Sequence, residues 1–289
     1  MMMPCIPPDP NPRPPRFAMP AGATDSHAHV IDPPSRLPYV DERFFDPPPA
    51  PLEAYQALHK VLGIERAVLV TLSVYGTNNT VALDAIAGYG RDRARGIAVV
   101  DENVSDDELA KLDAGGFRGA RFNIVMGGGV GLHAVELLAP RLRELGWHIQ
   151  LFLDVHKNLE EIEPVVRTCG MPVVVDHMGF MQTTEGIDNP GFQRFLDLVR
   201  DGICWAKLSG NYRISSERPY YRDAIPFARA LIEAAPQHMV WGTDWPHVTQ
   251  ADYMPNDGDL LDALDDYAPE PELKQAILVD NPARLYGFA

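Results

Sequence analysis

What most limits the fold of this chain is a rhythm. From residue 24 onward, short valine-rich runs alternate with helix-patterned segments, and glycines punctuate the joins. Thr24 to Val30, Arg66 to Leu72 (RAVLVTL), Arg95 to Asp101 (RGIAVVD) and Phe117 to Asn123 (FRGARFN) read as strands. So do His148 to Asp154 (HIQLFLD), Pro172 to His177 (PVVVDH), Ile203 to Ser209 (ICWAKLS) and Met239 to Thr243 (MVWGT). Near-continuous apolar runs suit strands buried on both faces. Helical spacing predicts helices over Leu52 to Leu62, stopping at Gly63, and over Thr80 to Ala87, ending at Gly88. The Ser105–Glu108 capping box opens another, stopped at Gly115-Gly116. Further helices follow over Leu132 to Leu145 with Pro140 inside, Leu159 to Thr168 capped by Asn158, Phe192 to Arg200, and Asp223 to Ala235. Two helical stretches close the chain, the last capped by Asn281 with Pro282 in its first turn.

Alternating β and α units call for a parallel sheet. Eight repeats predict an α/β fold, a single-domain (β/α)8 TIM barrel over residues 23–289. An open doubly wound sheet is the competing architecture. No GxGxxG opens a first βα turn, however, and Gly127-Gly128-Gly129 reads as a mobile loop rather than a nucleotide site. Residues 1–22 are proline-rich and read as an extended arm. A second proline-rich stretch, Asp32 to Pro51, follows the first strand and is placed to cover the barrel mouth.

Forty acidic against 25 basic residues give a net charge of −15, which argues against nucleic acid or an anionic membrane as partner. Three cysteines without paired spacing argue against a disulfide framework and fit a reducing cytoplasm. The first residues lack the apolar run of a signal peptide, and no run reaches the roughly 18 residues of a membrane span. A cytoplasmic protein is expected. Homo-oligomerisation is left open.

Barrel enzymes act at the C-terminal ends of their strands. Here those ends carry His27 and His29, Arg121 and Asn123, Asp176-His177, and Lys207 and Ser209 followed by Asn211, Tyr212 and Arg213. The last carries Thr243-Asp244-Trp245, with His247 within reach of the mouth. His27 and His29 are two apart, so a strand aims both imidazoles the same way. Each residue alone reads as packing. Three imidazoles and a carboxylate in one mouth read as a site.

DSHAHV, VVVDHMG and WGTDWPH, in that order, resemble the amidohydrolase superfamily. Together with RGIAVVD, GGFRGARFN and DNPARLYG they resemble its lactonase subgroup, which includes hydrolases of 2-pyrone-4,6-dicarboxylate, sugar lactones and sulfomuconolactones. The resemblance covers nearly all of the chain after residue 20. It implies that Asp244 takes a proton from the attacking water while His27, His29 and His177 surround the scissile carbonyl. Lactone hydrolysis needs such a base and such donors.

The two-metal site of the superfamily lacks its residues here, since the fourth strand offers Arg121 and Asn123 and the fifth Gln150 and Phe152. One zinc held by His27, His29, His177 and Asp244 is the chemical alternative. Such an ion would leave Asp244 less free as a base, and the resembled lactonase is regarded as working without metal, so no cofactor is expected. Arg121 matches a family position that binds a substrate carboxylate, and Arg213 resembles a second. Met126 and the glycine run, Phe180 and Phe152 stand where the dicarboxylate lactonase has basic residues, an arginine and a tyrosine. The expected substrate is therefore a small lactone with one carboxylate or sulfonate and an apolar portion. Asn123, Ser73 and Tyr75 are further candidates for the mouth. Trp241 is expected in the core. His59, His133 and His238 are expected at the surface, and the acidic run Asp257, Asp259, Asp262, Asp265, Asp266 as a solvated face. A metal-dependent aromatic-acid decarboxylase and a sugar-lactone isomerase are the rival readings.

Overall fold

The computed structural model describes residues 2–125, 130–131 and 133–289. Gly127-Gly128-Gly129 lies outside them. Eight parallel strands pair in chain order: β1 (Thr24–Ala28), β2 (Arg66–Val70), β3 (Ala94–Ala98), β4 (Phe117–Asn123), β5 (His148–Phe152), β6 (Val173–Val175), β7 (Cys204–Lys207) and β8 (Met239–Val240). Ser26 N–H to Trp241 O (2.9 Å), Asp244 N–H to His27 O (2.8 Å) and His29 N–H to Trp245 O (2.8 Å) join the last strand's exit to the first. The expected TIM barrel is present. Most strands end earlier than their apolar runs suggest. The cause is visible at β6 and β8, where His177 (φ 52°) and Asp244 (φ 65°) turn the backbone out of the ladder.

Alternate strand residues Val68, Val70, Ile97, Val174, Trp205 and Val240 form an apolar cluster of their own, joined by Tyr286 and Phe288 near the C-terminus. This is the packed inside of the barrel. A larger cluster fills the space between sheet and helices and takes in Trp241.

The helices are α1 (Leu52–Leu62), α2 (Thr80–Tyr89), α3 (Asp106–Ala114), α4 (His133–Glu144), α5 (Val155–Thr168), α6 (Pro190–Arg200), α7 (Asn211–Ile214), α8 (Ile225–Ala234), α9 (Asp257–Tyr267), α10 (Pro271–Gln275) and α11 (Asn281–Tyr286). Gly63 ends α1 with φ 75°, and Ser105 Oγ caps α3 by accepting the Glu108 N–H, as the patterns predict. Several boundaries differ by a residue or two, and three differences have a visible cause. α2 runs through Gly88, where a Cβ would press on Leu52 of α1 at 2.7 Å, and stops at Gly90. α5 starts at Val155, capped by Asp154, because Asn158 turns back to accept the Asp154 N–H. Asn281 caps nothing. Its amide donates to Pro236 O and Met239 O, both 2.8 Å, and a π-turn carries α10 into α11.

The acidic run is not a free solvated face. The N-terminal arm lies on it, with Arg13 reaching Asp262 at 2.7 Å and Arg16 reaching Asp265 at 2.9 Å. Further along the arm, Ile6 N–H bonds Gln250 O and Met3 N–H bonds Phe44 O, both 2.8 Å. His59 is not at the surface either. It is buried on the inner face of α1, 2.7 Å from the Tyr89 hydroxyl. His133 is exposed, and His238 is half-buried against Trp205. Among the described residues no helix is long and apolar enough to cross a membrane.

Candidate active site

The site begins with a buried polar layer on the mouth side of the barrel's apolar filling. Strand register sets Arg121 of β4 beside Gln150 of β5. Asp176, just past β6, accepts from Arg121 Nε (3.2 Å) and Gln150 Nε2 (3.1 Å), both on Oδ2. Lys207 of β7, fully buried, reaches Gln150 Oε1 at 2.7 Å and His27 Nδ1 at 3.2 Å. Burial pulls the Lys207 ammonium down to about 8 against the opposing pull of Asp176, so it is a cation at neutral pH. Burial alone would raise the Asp176 carboxyl, but the Lys207 and Arg121 cations beside it hold it well below the usual range.

His27, His29, His177 and Asp244 meet above this layer, all buried. The His27 ring centroid is 4.8 Å from that of His177 and 5.1 Å from that of His29. His27 Nε2 stands 3.8 Å from Asp244 Oδ1, and His177 Nε2 stands 3.8 Å from Asp244 Oδ2. His29 Nδ1 is 2.8 Å from Val70 O, and a carbonyl only accepts, so the proton sits on Nδ1. His177 Nδ1 pairs with Ser209 Oγ at 3.0 Å. Burial pulls His29 and His177 down to about 4. Burial and then Lys207 put His27 well below its ordinary value. All three rings are neutral at pH 7.

The two oxygens of Asp244 differ. Oδ2 accepts from Tyr212 Oη (2.6 Å) and from Arg213 Nε, while Oδ1 is buried without a hydrogen-bond partner. Burial would raise this carboxyl, but the Arg213 guanidinium beside it holds it well below the usual range. The turns that aim these groups are strained. Six of the seven described non-glycine residues with positive φ lie just past β6 or β8: His177, Met178, Phe180, Asp244, His247 and Thr249. Such outliers gather where function over-determines the backbone.

The mouth is a small, partly open cleft. Polar Arg121, Asn123 and Ser73 and apolar Phe45, Phe152 and Val248 line it together, with the Arg121 guanidinium 5.1 Å from the Phe152 ring centre. Phe45 arrives on the covering loop after β1. Phe152 meets Phe180 edge-on at 4.7 Å.

Two candidates, Tyr75 and His247, lie elsewhere than expected, and Arg213 is in the site but engaged with Asp244. Tyr75 is outside the cleft, because its hydroxyl bonds the Asp32 N–H and carbonyl and braces the covering loop. Arg213 lines the cleft with three of its five N–H donors engaged: Nε on Asp244, Nη1 on Thr249 Oγ1 and Nη2 on Val248 O, the last two at 3.2 Å. His247 sits behind the mouth, between Tyr212 Oη (3.2 Å) and Asp257 Oδ1 (3.1 Å). Arg121 uses Nε on Asp176, while its Nη nitrogens make no hydrogen bond among the described residues. Sequence reasoning missed Asp25, which accepts from the Thr243 and His27 N–H groups and from the hydroxyls of Thr243 and Tyr55. An acid inside an apolar strand start was its only signal.

His27, His177 and Asp244 put ligand atoms within 4.8 Å of one another, a spacing that suits one divalent cation. His29 is not in that triad. His27 Nδ1 faces two partners, Lys207 Nζ at 3.2 Å and Asp176 Oδ1 at 3.3 Å, and the one it pairs with sets which ring nitrogen carries the proton.

The amidohydrolase family profile matches residues 24–288. The chain is 39% identical over 287 residues to a 2-pyrone-4,6-dicarboxylate hydrolase of Comamonas testosteroni, across 96% of this chain and 93% of that protein. It is 40% identical over 291 residues to a 4-sulfomuconolactone hydrolase of Rhizobium radiobacter, across 98% and 97%. A crystal structure of a probable 2-pyrone-4,6-dicarboxylic acid hydrolase from Acinetobacter baumannii with citric acid bound superposes with a TM-score of 0.83 at 29% identity, covering 92% of this chain and all of that one.

Proposed function

Because this chain belongs to the amidohydrolase family, we propose, from its full-length similarity to lactone hydrolases and from its mouth geometry, that it is a lactone hydrolase acting on a small carboxylated or sulfonated lactone. The observation that carries the mechanism is the asymmetry of Asp244, one oxygen held and the other bare beside neutral imidazoles. The lactone carbonyl oxygen takes the Nε2–H of His27, which stands 3.8 Å from Asp244 Oδ1. Water sits at Asp244 Oδ1. So weakly basic a carboxylate takes the proton only as the water oxygen bonds to the carbonyl carbon, when the water itself turns acidic. The tetrahedral oxyanion is held by donors already in place. It collapses with cleavage of the ring C–O bond, and Asp244 returns its proton to the leaving oxygen. One hydroxy acid results, with water consumed.

Arg121 lines the cleft with Nη donors that no described residue engages, so an anionic group of the substrate is anchored there, and its apolar portion lies against Phe45 and Phe152. A panel of lactones assayed in ¹⁸O-water tests this. The expected result is one labelled oxygen in the new carboxylate, with monoanionic lactones turned over better than dianionic ones. Release of carbon dioxide, or an isomerised lactone without label, would overturn hydrolysis. Preference for a dicarboxylate would overturn the single-anion reading.

A further inference from the structure

We propose that Lys207 is a positioning residue that sets the tautomer of His27, so that the His27–His177–Asp244 triad donates a proton toward substrate instead of binding a metal ion. The role assigned to the His27 proton rests on the lactonase reading above. The tautomer itself does not.

Lys207 has three hydrogens and three neighbours. Gln150 Oε1 is at 2.7 Å, His27 Nδ1 at 3.2 Å and Asp176 Oδ1 at 3.5 Å. The Gln150 amide is oriented by its other end, since its Nε2 donates to Asp176 Oδ2 and leaves Oε1 facing the ammonium. Arg121 pins the same Asp176 oxygen. The lysine is thus held on its barrel side, with one hydrogen directed at the imidazole. Since the ammonium can only donate, Nδ1 accepts, and a neutral ring must protonate Nε2.

A competitor for Nδ1 is close by. Asp176 Oδ1 lies 3.3 Å from it, slightly farther than the ammonium. If that carboxylate took the ring N–H, Nε2 would bear a lone pair. This is the carboxylate–histidine arrangement that supports metal ligation. The triad's ligand atoms already lie within 4.8 Å of each other. The two tautomers therefore give two different sites on one scaffold, and the presence of a donor at position 207 selects between them. The positive charge of Lys207 beside His27 further opposes a dication.

The test replaces the ammonium while keeping the length of the side chain. In Lys207→Met, Asp176 is expected to capture Nδ1–H. Chelator-treated protein, dialysed against zinc and analysed for metal, should hold about one equivalent in the variant and essentially none in wild type. Lactone turnover without metal should fall in kcat by roughly 10- to 100-fold with KM little changed, as for a lost donor to the oxyanion. Stoichiometric zinc in the wild type, or a Lys207→Met variant indistinguishable from it in zinc content and kcat, would overturn the proposal. Should the variant not fold, imidazole ¹⁵N–¹H spectra of the wild type decide, with the His27 signal assigned by its loss in His27→Gln. The Nε2–H pattern is expected, and an Nδ1–H pattern would refute the role of Lys207. Zinc content and tautomer are read without substrate, so their failure is distinct from failure to hydrolyse lactones.

Discussion

Asp244 owes its behaviour to Arg213. The sequence aligns Arg213 with a substrate-binding position, yet the folded side chain spends three of its donors on Asp244, Thr249 and Val248. Its charge is what outweighs burial and keeps the carboxyl ionised. Arg213→Met removes that counterweight, and burial then pushes the carboxyl upward. Asp244 must be ionised to act, so the acid limb of kcat/KM should move to higher pH in the variant. With His29 and His177 neutral above about 4, the wild-type profile should stay flat from neutrality down to roughly pH 5. Profiles that coincide would contradict this role. The convergence of residues 27, 29, 177 and 244 was legible from the chain, because strand ends of a parallel barrel share one mouth. The destinations of Arg213, Tyr75 and His247 were not. Each depends on a rotamer and on partners dozens of positions away.

The elements that matter most are the turns leaving β6, β7 and β8. Gly210, after β7, has φ 69°, and a Cβ there would sit 2.8 Å from His177 Nδ1. Gly242 lets the β8 exit approach β1, where a Cβ would lie 2.6 Å from the His27 backbone nitrogen. Gly210→Ala should therefore displace the His177 ring and break its bond to Ser209. A loss of roughly tenfold or more in kcat/KM is expected, because misplacing a group by an ångström costs on that order. Wild-type activity in a folded Gly210→Ala protein would show that His177 is not tightly placed. The strands themselves were readable from their apolar runs, but their ends were not. Pairing stops where these turns rotate polar side chains into the mouth, and that is a tertiary demand invisible to local pattern.

At the scale of the whole molecule, alternating β and α segments specified the barrel, while the arm's berth on α9 escaped the sequence because its arginines and their acids lie some 240 or more positions apart. Burial of histidines also links the fold to pH. His148, enclosed in the barrel, is pulled by burial to about 3, against an ordinary value of 6.5. Between those values the unfolded chain binds a proton that the folded chain refuses. Stability is therefore fully present above 6.5 and lost as pH falls toward 3. At pH 4.5 this costs about 3 kcal/mol for His148 alone. Tm should fall steadily from pH 7 to 4.5, and less steeply in His148→Leu; equal slopes would contradict the linkage. The whole scaffold serves one carboxylate, and Asp244→Asn probes it most directly. On chelator-treated protein, single-turnover opening of a carboxylated lactone should slow by about 10³-fold or more, with substrate affinity little changed. A variant that opens the ring within tenfold of the wild-type rate would contradict Asp244 as the base.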